Sequence, residues 1–217
     1  MPLPSLPRRL RRCALPALLI VLAQAAPARP AAGACDHLRL VLDARITAET
    51  LAKDWGTGAA HEAANARLEL RGCHDELLDH LELAAPLARI EPEPLHGTPV
   101  PTWLVSADLT ADFGSYSGPL TLPVEIVAHR LRVARSRGPA GASAPIHLAA
   151  TGKAAWRRVV SAQGDDLLSV ASAMDHDAFV TTWRRYRITA QGWRWTQRQA
   201  PGLWESDADF PDFAQFP

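Results

Sequence analysis

Phe179 to Thr189 and Trp193 to Gln199 are two alternating runs separated by Ala190-Gln191-Gly192, a glycine-containing loop of hairpin length. This pattern commits the C-terminal part of the chain to antiparallel sheet. On the first strand Val180, Thr182, Arg184, Tyr186 and Ile188 share a face, and on the second Trp193, Trp195 and Gln197 do. Tyr186 and Ile188 are therefore expected to pair with the two tryptophans over a core, with Arg187, Arg194 and Arg198 turned outward.

The rest of the chain reads the same way. Leu38 to Leu42, Arg67 to Arg71, Leu122 to Ile126 and Arg130 to Val133 alternate as half-buried strands. Pro92 to Pro101 is a proline-rich connection, and Ser136 to Pro145 reads as a flexible Gly/Ala/Ser loop. Helical periodicity is confined to Thr47 to Trp55, with Gly56 as its stop. The expected fold is mainly antiparallel β, a sandwich or strongly bent sheet with one short N-terminal helix.

The N-terminus sets the compartment. Arg8, Arg9, Arg11 and Arg12 precede the apolar run Cys13 to Ala23 and the small-residue stretch Ala23-Gln24-Ala25, the order of a secretory signal. Its apolar run is shorter than the roughly 20 residues a spanning helix needs, so a cleaved peptide (residues 1–25) is expected, with no membrane span in the mature chain. A lipoprotein is the rival reading, through Ala32-Gly33-Ala34-Cys35, although Arg29 and two prolines separate that box from the apolar run. Residues 26–217 then form one β-rich domain, periplasmic or secreted in a bacterium. Removing the four arginines leaves 19 basic against 23 acidic residues, net charge −4. That balance argues against a nucleic-acid binder, which needs basic excess to neutralise phosphates. Cys35 and Cys73 remain, an even count in an oxidising compartment, and a disulfide between them is expected.

Catalytic signatures fail residue by residue. Gly114-Ser115-Tyr116-Ser117-Gly118 has tyrosine where a nucleophile elbow needs serine. Thr151-Gly152-Lys153-Ala154 lacks the upstream glycine and the hydroxyl after lysine that a phosphate loop needs. His74 and His80 are six apart, not the four that place two zinc ligands on one helix face, and the Ser106 to Pro119 stretch holding Asp108 and Asp112 has no EF-hand pattern. No catalytic residue, metal site or cofactor is assigned.

What remains is the interleaving of tryptophan and arginine at Trp156-Arg157-Arg158, Trp183-Arg184-Arg185-Tyr186-Arg187 and Trp193-Arg194-Trp195. Aromatic faces and planar guanidinium donors suit sugars and anionic glycans, which makes Trp156, Arg157, Trp183, Arg185 and Arg194 the candidate ligand-binding residues, with Asp108 and Asp112 on a second, loop-borne surface. Core tryptophans with outward arginines explain the same pattern without a ligand. The tail interleaves Glu205, Asp207, Asp209 and Asp212 with Trp204, Phe210, Phe213 and Phe216. Free in water it would expose four large aromatics, so residues 204–217 are expected to dock on the hairpin in extended form, carboxylates near Arg187, Arg194 or Arg198.

Ser106-Ala107-Asp108-Leu109-Thr110 running into Gly114 to Pro119, Thr151 to Arg158, and Pro201 to Asp207 before Phe210-Pro211 together resemble a family of uncharacterised exported bacterial proteins. The similarity covers most of the mature chain and carries no known activity or functional residues. The expected role is therefore a non-catalytic binding or interaction module with an envelope protein or a glycan as partner. The alternatives are a hydrolase whose acid and base come from Asp108, Asp112, His74 or His80, and a purely structural periplasmic protein.

Overall fold

The computed structural model describes residues 35–49, 64–108 and 118–217. The expected leader, all but the start of the Thr47 to Trp55 helix, the Gly114 to Ser117 stretch and Asp112 lie outside these residues. In chain order the strands are β1 (His37–Val41), β2 (Arg67–Arg71), β3 (Leu77–Glu82), β4 (Leu87–Ile90), β5 (Thr102–Asp108), β6 (Leu120–Val127) and β7 (Arg130–Val133). Then follow β8 (Arg135–Arg137), β9 (Ser143–Pro145), β10 (Leu148–Ala149), β11 (Ala154–Val159), β12 (Asp166–Asp175), β13 (Ala178–Thr189) and β14 (Gly192–Pro201).

The strands build three sheets. β1-β2-β3 form the first, β10-β6-β5-β4 with β7 on β6 the second, and β11-β12-β13-β14-β8-β9 the third. Side-chain alternation stacks them, because the second sheet is apolar on both faces. Val105, Ala107 and Val124 pack with Leu68 and Leu83 of the first-sheet side, while Leu104 and Leu148 pack with Leu167, Tyr186 and Trp193 of the third. β6 is accordingly buried at consecutive positions, Val124 to Ile126, as a strand covered on both sides must be.

The long hairpin pairs Tyr186 with Trp195 and Ile188 with Trp193, and all four pack on the core. The Ser136 to Pro145 segment is not a loop throughout: it holds β8 and β9. Strands of three residues are too short to show a period, and β8 is specified by a parallel pairing with β14, Trp193 to Ser136 and Arg194 to Arg137. A glycine follows where that pairing needs one, because a Cβ on Gly138 would come within 2.4 Å of the Trp195 ring.

Cys35 and Cys73 stand at disulfide distance, Cα atoms 5.1 Å apart, linking the start of β1 to the β2–β3 turn. No helix among the described residues is long and apolar enough to cross a membrane.

Candidate functional site

The outer face of the third sheet, opposite the core, carries Arg157 on β11, Asp166, Leu168 and Ser172 on β12, Thr181, Trp183, Arg185 and Arg187 on β13, and Arg194, Thr196 and Arg198 on β14. Of the tryptophans singled out in the sequence only Trp183 is on this face. Trp156 lies on the opposite face, packed against the core with Trp195. The structure thus brings Arg157, Trp183, Arg185 and Arg194 onto one surface and sends Trp156 inward. Asp108 ends β5 by its backbone, paired with Leu87, in a different sheet.

Part of this surface is occupied by the chain's own C-terminal segment. The Trp204 N–H donates to Ser172 Oγ at 2.8 Å, Ser172 and Thr181 hydroxyls meet at 2.7 Å, and Thr181 donates to the Gly202 carbonyl at 2.9 Å. This relay of two buried hydroxyls anchors the segment where it leaves β14. It then runs across the strands: the Arg157 guanidinium lies 4.6 Å from the Phe210 ring centroid, Arg185 lies 4.4 Å from Phe213, and Thr196 donates to the Pro217 carbonyl at 3.3 Å. Phe210 and Phe216 stack at 5.7 Å, and Phe216 is 7% exposed. From the tail these arginines receive aromatic rings rather than carboxylates. Among the tail acids Glu205 approaches Lys153 at 3.5 Å, and Asp207, Asp209 and Asp212 pair with no basic side chain among the described residues.

Beyond the tail the surface is a row of arginines. Register places Asp166, Arg187, Arg194 and Arg137 directly opposite one another on β12, β13, β14 and β8 in turn. Asp166 is shared by two guanidiniums, accepting from Arg185 Nε at 2.8 Å and from Arg187 Nε at 3.3 Å. Burial is the largest influence on its carboxyl and raises the pKa; Arg187 opposes the rise and neighbouring Asp165 adds to it. Arg194 donates to Gln191 Oε1 at 3.4 Å, and neither Arg194 nor Arg137 meets a carboxylate among the described residues. Like charges directly opposite on neighbouring strands destabilise a sheet, so this row is held at a cost.

Two open clefts flank the row. One, of about 330 Å³, is lined by Arg185, Arg187, Arg194, Trp195 and Thr196; the other, of about 290 Å³, by Arg132, Arg135, Arg137, Ser143 and Gln191. Arg132 is neutralised by Glu125 at 2.7 Å, while Arg135 spends its donors on Ser143. Sequence reasoning missed Arg137 and Asp166. Arg137 sits in a segment read as loop, and only the tertiary pairing of β8 with β14 reveals its place; Asp166 opens a strand whose alternation is masked by the consecutive apolar pair Leu167-Leu168.

His74 and His80 are not assembled into a site. His74 is exposed in the β2–β3 turn, and His80 is exposed on β3 opposite Glu69. Among the described residues the group of potential metal ligands is Cys35, Asp36 and Cys73, in which the cysteines face each other and Asp36 is held by His129 at 2.7 Å. No family model, curated protein or solved structure matches this chain.

Proposed function

We propose that this protein is an exported, non-catalytic binding module that recognises an anionic ligand on the outer face of its third sheet. The observation that carries the reading is the cross-strand row Arg187–Arg194–Arg137, three cations at neighbouring strands with one shared carboxylate at its end. A ligand anion supplies the charge that the chain itself withholds, through planar guanidinium donors suited to carboxylate, sulfate or phosphate. The leader is removed after Ala25 and the mature domain works in the periplasm or outside the cell, where the two cysteines are oxidised. The cleft walls hold arginine, hydroxyl, amide and indole groups, and the one carboxylate side chain among them, Glu125, is already bound by Arg132.

The test is calorimetric titration of the mature protein with citrate at low ionic strength. Binding that weakens with added salt and is lost in Arg194→Ala supports the reading. Equal heats in the wild type and in that variant overturn it.

A further inference from the structure

We infer that the ligand is a linear acidic glycan lying across the strands, its acidic groups answered along the line of Arg187, Arg194 and Arg137. This rests on the anion-binding reading and adds the ligand's shape. Neighbouring strands in a sheet lie about 4.8 Å apart, so directly opposite arginines form an evenly spaced line perpendicular to β13, β14 and β8. The line of three spans about 10 Å, the length of about two pyranose units, and long arginine side chains reach acidic groups on either edge of a chain laid along it. A compact anion bridges two neighbouring guanidiniums at most, whereas a chain reaches the whole line.

The clefts adjoin this line, the second of them reaching toward the second sheet through Glu125 and Arg132. The first lies on the β13 side of Arg194, the second on the β8 side, and Gln191, hydrogen-bonded to Arg194, belongs to the wall of the second. Two neutral groups in their walls, Thr196 and Gln191, separate a glycan from a chain of phosphates. Thr196 donates to the Pro217 carbonyl and Gln191 Oε1 accepts from Arg194, so Thr196 keeps lone pairs to accept from a ligand hydroxyl and Gln191 keeps its amide N–H groups to donate. A polyhydroxylated chain uses both capacities, whereas polyphosphate, an acceptor along its whole length, uses only the donors. The mature chain's acidic excess also works against a partner as densely charged as a nucleic acid.

The experiment measures affinity of the mature protein for oligogalacturonates of one to six units at low ionic strength, with linear polyphosphate of equal charge as the second arm. Affinity should rise at least about tenfold between the single unit and the trimer and then level off, as several linked contacts form on one surface. Arg137→Ala should flatten the length series, so that the trimer binds no more than about twofold tighter than the single unit. The salt dependence of wild-type binding, steeper for the trimer than for the single unit, gives a readout independent of any variant's folding. A flat length series with citrate still bound overturns the glycan and leaves the anion site standing. Polyphosphate binding tighter than the matched oligogalacturonate also overturns it. Failure of citrate and every oligomer to bind removes both readings.

Discussion

Glu69 sits at the centre of a charged face of the first sheet, its side chain 1% exposed, with Arg67 at 2.6 Å, Arg71 at 2.5 Å and Arg39 at 3.2 Å. The Arg71 hydrogen bond is the chief reason its carboxyl is held below the usual range, with Arg67 helping and burial opposing. At Asp79 burial is the largest influence and pushes upward, yet hydrogen bonds from the Leu131 and His80 N–H groups and from Arg130 together prevail, and the pKa falls. A carboxyl depressed in the folded state contributes stability above its unfolded pKa of about 4 and loses it as the pH falls through the folded value. Asp166, raised by burial, has the opposite sign and loses its contribution as pH rises. Asp43 is held down to about 2, chiefly by its hydrogen bond from Arg45, so with three depressed carboxyls against one raised the melting temperature should drop as pH is lowered from about 5 to 3. Glu69→Gln should melt lower at neutral pH and show a shallower acid slope, which thermal denaturation across that range checks.

At the scale of elements the C-terminal segment behaves as a cross-strap on the third sheet. Its hold is apolar first: Pro211 and Phe216 are buried, whereas Asp207 and Asp209 are exposed. Burying an aromatic side chain is worth roughly 1.5 to 3 kcal/mol and an exposed ion pair at most about 1. Truncation before Trp204 should therefore lower the melting temperature clearly, and Asp207→Asn with Asp209→Asn should lower it little. The elements legible in the sequence were those with local signals. Arg67–Arg71 and Arg130–Val133 alternate cleanly and stand as strands with those bounds. β6 ran longer than its alternating part, since both its faces are covered and period two fades. β8 and β9 were hidden because strands of three residues are too short to show a period; β8 is fixed by β14, distant in sequence, and β9 pairs with β8. The candidate surface was half legible for the same reason: Arg185 and Arg194 stand out beside tryptophans, but which arginines align depends on register between strands, and Arg137 comes from one of the hidden strands.

For the whole molecule, three sheets share two apolar interfaces, and the first sheet, farthest from the arginine row, is tied to its own N-terminal strand by the Cys35–Cys73 pair. Closing a loop with a sequence separation of 38 contributes about 4 kcal/mol on the chain-entropy model. Mass spectrometry of unreduced protein comprising residues 26–217 should find no alkylatable thiol, and a reductant should lower the melting temperature. Two alkylatable thiols would count against the bond.

The parallel contact between β14 and β8 has a kinetic corollary. The hairpins β11–β12, β12–β13 and β13–β14 close through short turns, but β8 reaches β14 only after the intervening chain has folded back. Contacts of large sequence separation form late because loop entropy must be overcome first. During refolding the long hairpin should therefore gain protection from hydrogen exchange before Arg137 reaches Arg194, and the proposed anion binding should appear only with the last slow step.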